Sequence, residues 1–241
     1  MYKPTFKTSA KNVPILSRGE IDTIGERLVG DFCPQALSVP TEIDIDRFIT
    51  RYLGMEQDFQ YLSHCGLYLG MTVFNDTNRV AVFNPDAWQA EYISVKAGTV
   101  IIDNSLLADN QEHRYRFTAG HEAAHGVLHG GYFSYNPNQL SLYDDYVPMV
   151  QCRVDGTRLS RRAACKKTDS DWMEWQANCL SSAILMPKSM VIKVAKQAER
   201  KSRSANAALE AVVRTFNVSN DAAYYRLQEL GLIPAKTKRF Q

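Results

Sequence analysis

His121-Glu122-Ala123-Ala124-His125 is the stretch on which the reading of this chain turns. Two histidines four residues apart on a helix stand about one turn apart on the same face, the spacing at which two imidazoles can share a metal ion. Glu122, directly after the first histidine, stands beside such an ion rather than on it and can take a proton from a metal-bound water. The flanks read as helix too. Phe117, Ala124, Val127 and Leu128 fall at near-helical spacing, and Gly120, Ala123 and Ala124 permit close packing around the histidines. The pentapeptide therefore points to hydrolysis, most often of a peptide bond, with a metal-free pair of core histidines as the bland alternative.

Two histidines do not complete a catalytic zinc site, which takes three protein ligands and keeps a fourth position for water. The extended zincin motif with a third histidine six positions beyond the second is excluded, because that position holds Gly131. His129 lies four residues after His125, but a third histidine along one helix drifts by roughly 80° from the first around the axis. It also precedes Gly130-Gly131, where the helix is expected to end, so it reads as a helix-end histidine rather than a ligand. Glu174 is the stronger candidate. It lies in a helical stretch rich in small and apolar residues, Trp175, Ala177, Leu180, Ala183 and Ile184, with Asn178 four residues on along the same face. A ligand and a partner behind the ligands fit that spacing.

The bulk properties of the chain suit this reading. At 241 residues and 45% hydrophobic content the chain can bury a sizeable core, and 28 basic against 26 acidic residues give a net charge of +2. Such a balance creates no basic field for nucleic acid or membranes. No apolar run approaches a membrane span, and Met1 to Arg18 lacks the apolar core of a signal peptide, so a cytoplasmic location is expected. Cysteines at 33, 65, 152, 165 and 179 are odd in number and scattered, which argues against a disulfide framework. Cys152 and Cys165 flank a basic, polar stretch and offer a minor alternative as a secondary site.

The expected fold class is α+β: a small, largely antiparallel sheet packed with a zincin-like two-helix metal site and followed by a C-terminal helical region. Ile21 to Val29 reads as a helix, and Thr41 is expected to cap a second one that Gly54 ends. Leu67–Phe74, Arg79–Phe83, Glu91–Val95 and Thr99–Ile102 read as strands of one sheet, separated by Asn75-Asp76, Asn84-Pro85 and Ala97-Gly98 turns. Such a sheet offers an edge for aligning an extended peptide, although edges are as often plainly structural. Residues 131 to 168 have no sustained periodicity and read as a long loop shaping substrate access. Asp169-Ser170-Asp171 is expected to cap a helix from Trp172 to about Met186, stopped by Pro187, with further helices at 187–201, 205–216 and 220–230. The implied division is 1–187, a metallopeptidase domain, and 188–241, a helix-turn-helix-like subdomain.

Four ordered motifs then resemble a known family. Arg116-Phe117-Thr118 before the pentapeptide, Glu174-Trp175-Gln176-Ala177-Asn178, and Ile184-Leu185-Met186-Pro187 together look like the ImmA/IrrE family of metallopeptidases. The likeness spans roughly residues 15 to 233. It implies zinc held by His121, His125 and Glu174, Glu122 as catalytic acid/base, and Asn178 beside the ligands, the same roles the residues suggest by themselves. Other divalent ions also suit a His/His/Glu set. The chain departs from the family pattern at Ala124, where glycine is frequent, and at Cys179-Leu180, where Phe-Ala is frequent; both changes touch packing rather than ligand chemistry.

The resemblance further implies a specific protein substrate, a helix-turn-helix transcriptional repressor. Stabilisation of the tetrahedral intermediate calls for one more donor, and His113, Tyr115, Tyr132, Tyr143 and Tyr146 are all open candidates. A different class of function is a DNA-binding or partner-binding regulator with a structural or sensory metal site, built on the helix-turn-helix-like segment Val212 to Ile233. Direct DNA binding is not the expectation, because Asn220 to Leu230 carries Asp221 and Glu229 against Arg226 alone.

Overall fold

Why the site lies where it does follows from two long helices that cross closely between a sheet and a helical layer. The computed structural model describes residues 1–133, 168–202, 204 and 206–234, and the backbone of 149–153. Its helices are α1 (Arg18–Phe32), α2 (Ile45–Arg47), α3 (Glu112–Leu128), α4 (Gly130–Phe133), α5 (Asp169–Leu185), α6 (Lys188–Lys201), α7 (Ala207–Phe216) and α8 (Asn220–Glu229). Its strands are β1 (Glu56–Gln60), β2 (Tyr68–Val73), β3 (Thr77–Asn84), β4 (Gln89–Val95), β5 (Thr99–Asp103) and β6 (Met149–Arg153).

The α+β class holds, with helices C-terminal, but the strands divide differently from the expectation. β1, β5, β2 and β6 form one four-stranded sheet in that order, whereas β3 and β4 pair only with each other. The β1–β5 pair is parallel, and β2 runs antiparallel to both β5 and β6. The separate hairpin lies over the sheet because β5 alternates. Val100 and Ile102 join the helical core, while Ile101 joins Met71, Val73, Val80, Val82 and Val95 beneath the hairpin. Burying apolar side chains on both faces is what makes this short strand central.

Two helix starts also shift. The cap after the first helix is Asp44, whose Oδ1 accepts from the Arg47 amide at 3.0 Å, rather than Thr41; the short helix continues as a π-turn over Phe48–Tyr52. Thr168 caps α5 through a reciprocal box with Asp171, one turn earlier than Asp169 to Asp171 suggested. Within the stretch expected to be a loop, α4 and β6 are regular; residues 134–148 and 154–167, with Tyr143, Tyr146 and Cys165, lie outside the described residues, as does the side chain of Cys152.

One apolar core cluster runs from α1 through α3 and α5 into α6, α7 and α8, including Ile24, Ala123, Leu180, Val191, Phe216 and Leu227. Two buried arginines fasten it. Arg116 on α3 donates to the carbonyls of Ile43 and Asn217, at 3.0 and 3.1 Å. Arg226 on α8 donates to Asp22 Oδ1 at 2.7 Å and to the Met186 carbonyl at 3.1 Å. Arg226 is the one basic residue of α8 and is fully buried, so it is not available to a phosphate. No described helix is long and apolar enough to cross a membrane.

Candidate metal centre

Close approach of three elements builds the site. Where α3 meets α5, a Cβ at Gly120 would come within 2.6 Å of Ser181 Oγ, and that hydroxyl donates to the Phe117 carbonyl at 3.1 Å. Where β2 meets α3, a Cβ at Gly70 would lie 2.7 Å from Glu122 Oε1. Glycine at both points is a steric requirement, and it lets the histidine-bearing turn lie between sheet and helix without a gap.

The structure brings together the residues that the sequence singled out. His121 Nε2 and His125 Nε2 are 3.0 Å apart, and they lie 3.2 and 3.4 Å from the two carboxylate oxygens of Glu174. These three side chains form a group that could hold a metal ion. Ligand atoms around a tetrahedral zinc at its usual bond lengths lie about 3.3 Å from one another. The observed separations match that value.

Protonation follows from the partners behind each ring. His121 Nδ1 lies 3.0 Å from Asn178 Oδ1, which can only accept, so this nitrogen carries the proton and Nε2 is the lone-pair end. Burial pushes His125 down to about 4, so it is neutral near pH 7. The His121 lone pair, the neutral His125 ring and a carboxylate thus converge, and among the described residues Glu174 has no lysine or arginine partner. A cation is what such a donor set favours.

Glu122 stands next to this set with its two oxygens treated differently. Oε2 lies 2.6 Å from Thr72 Oγ1, whereas Oε1 is buried with no hydrogen-bond partner among the described residues. Burial pushes its carboxyl up to about 7, opposed by the nearby His121 and the Thr72 hydroxyl and assisted by the Glu174 charge. A buried, half-satisfied carboxylate is costly unless it has a task, and accepting a proton is one.

Residues 150–228 match the family model of the IrrE N-terminal-like domain, peptidase family M78. The match agrees with the resemblance read from the sequence motifs and supports a metallopeptidase family. It spans about a third of the chain, holds Glu174 and Asn178, and begins downstream of His121 to His125. A search of the curated proteins gave no significant match.

Among the candidate intermediate-stabilising donors, two are engaged elsewhere. Tyr115 gives its hydroxyl proton to Asp46 and accepts from Gln57, and the ring of His113 faces Asn217. Tyr132 stacks edge-on against Phe133. The sequence reading missed Thr72, a buried strand threonine that no motif distinguishes. It also missed Gln176, two residues beyond Glu174, and gave His129 no role beyond a helix end, although both side chains are fully buried behind the site.

Proposed function

We propose that this protein is a zinc-dependent peptidase in which His121, His125 and Glu174 hold the ion, Glu122 is the general base and acid, and Asn178 orients His121. The observation that carries this reading is the convergence of two imidazole nitrogens and a carboxylate at zinc-ligand spacing beside the unsatisfied Oε1 of Glu122. When bound, the metal supplies Lewis-acid polarisation of the scissile carbonyl and acidifies water.

The protein's own residues do the rest. The side-chain carbonyl of Asn178 fixes the His121 ring, and the Thr72 hydroxyl pins one oxygen of Glu122, which leaves Oε1 without a partner and able to take a proton. That oxygen takes a proton as the water oxygen bonds to the carbonyl carbon, then delivers it to the amine as the C–N bond breaks. Following the family resemblance, the substrate is one intracellular protein, a helix-turn-helix repressor, rather than proteins in general. Other divalent ions are compatible with the same ligands.

The test is cleavage of a repressor encoded beside this protein. Glu122→Gln is expected to keep its metal and to cut about 10²–10⁴-fold more slowly, the range of general acid–base contributions. Cleavage at the unaltered rate would remove Glu122 from the chemistry.

A further inference from the structure

Behind the candidate metal centre runs a chain of buried polar groups whose direction is set at its far end. The carbonyl of Pro14 can only accept, and Gln176 Nε2 donates to it at 2.7 Å. This fixes the side-chain amide of Gln176, so its Oε1 points the other way, 3.0 Å from His129 Nε2. An amide oxygen only accepts, so His129 carries its proton on Nε2. The other nitrogen of that ring, Nδ1, lies 2.9 Å from His125 Nδ1. His129 is fully buried and its two ring nitrogens face the Gln176 amide and the His125 ring, neither of them an anion, so a neutral ring is what this setting admits; its Nδ1 is then a lone pair, and the proton between the rings belongs to His125 Nδ1. His125 is thereby left with its lone pair on Nε2, the atom that faces His121 and Glu174.

We propose that His129 is a positioning residue. Together with Gln176 and the Pro14 carbonyl, it holds His125 in the Nδ1–H tautomer and fixes the plane of its ring, so that Nε2 is presented as a metal ligand. The N-terminal segment belongs to this device. Pro14 closes a short turn in which Thr8 and Pro14 form an isolated β-bridge, and its carbonyl also accepts from Trp172 Nε1 at 3.3 Å. A segment more than a hundred residues upstream of His125 therefore sets the tautomer of that ligand. His121 has its own acceptor, Asn178, so each ligand histidine has a separate partner at its Nδ1.

This inference rests on the reading of His125 as a ligand, and its test separates the two. Side-chain ¹⁵N NMR of the metal-free protein reports directly which nitrogen of His125 carries the proton. The expected result is Nδ1–H for His125 and Nε2–H for His129, and in Gln176→Met, which removes the acceptor, His125 is expected to populate the other tautomer. Competition of the folded protein with a chromogenic chelator for Zn²⁺ supplies the second readout. His129→Leu is expected to lose about 10–100-fold in affinity. His129→Asn, which places an amide oxygen near the Nδ1 position, is expected to recover most of it; a purely space-filling role would not separate Asn from Leu in that order.

Nε2–H on His125 in the unaltered protein, or equal zinc affinity in His129→Leu and the parent, overturns the proposal. The NMR assignment needs no variant, so a variant that fails to fold leaves it decisive. If the parent binds no zinc, the peptidase reading falls, and the tautomer assignment still decides the positioning role.

Discussion

Two buried polar clusters lie on α5's surroundings, and they solve the same problem in different ways. Between α1 and α8, the Asp22 carboxylate meets a cation built into the chain, the guanidinium of Arg226. Between α3 and α5, the Glu174 carboxylate meets two imidazoles whose proton-bearing nitrogens are turned away toward Asn178 and His129. The first cluster carries its own positive charge and pairs it with the carboxylate, although Arg226 Nη2 has no hydrogen-bond partner among the described residues. The second gathers lone pairs, and Glu122 beside it keeps one oxygen without a partner. The difference is the one expected between a group buried for architecture and the metal site proposed above.

Asp22→Ala leaves the Arg226 charge buried without its partner and is expected to cost about 3–5 kcal/mol in chemical denaturation. A loss below about 1 kcal/mol would mean that the pair is not a fastening. In metal-free protein Glu174→Gln is expected to change stability by less than about 1 kcal/mol, because its charge is partly exposed and serves binding rather than folding. Zn²⁺ at a hundred times its dissociation constant is expected to stabilise the parent by about 2.7 kcal/mol. The same addition should leave Glu174→Gln nearly unmoved, which thermal unfolding with and without the ion measures.

Smaller changes sharpen the contrast. Gly70→Ala puts a methyl group against Glu122 Oε1 and Thr118, and displacement of that carboxylate is expected to slow cleavage by about 10²-fold while the far-UV circular dichroism is retained. Cys179 probes the dry side of α5. Burial pushes its thiol up to about 12, so alkylation at pH 8 is expected at the exposed Cys65 and not at Cys179 unless the protein unfolds. Because the folded value lies above that of the unfolded chain, this thiol's contribution is fully present below about pH 9 and is lost as the pH rises toward 12. Peptide mapping after alkylation checks the first point, and a denaturant series across that window checks the second.

How much of this was legible in the sequence depended on whether the signal was local. The histidine pair and Glu122 declare themselves by spacing within one turn, and Glu174 with Asn178 by the same rule on a second helix. β1 did not. Its sequence Glu56-Gln57-Asp58-Phe59-Gln60 is polar, is never fully buried, and becomes a strand only through parallel pairing with Thr99–Asp103, some forty residues away. β6 was hidden in the same way inside a polar stretch that pairs with β2. Thr41 and Asp44 are both competent caps, and only the path of the chain into α2 chooses between them. His129 looked like a helix end because it is one. Its second role depends on Gln176 and Pro14, which no spacing rule connects to it.

The central claim is that His121, His125 and Glu174 form a metal-ion site, and elemental analysis of purified protein after zinc loading and desalting tests it most directly. The account predicts one zinc per chain in the parent and in Glu122→Gln, and near-complete loss in Glu174→Ala. A parent protein that retains no zinc, or an undiminished zinc content in Glu174→Ala, would contradict it.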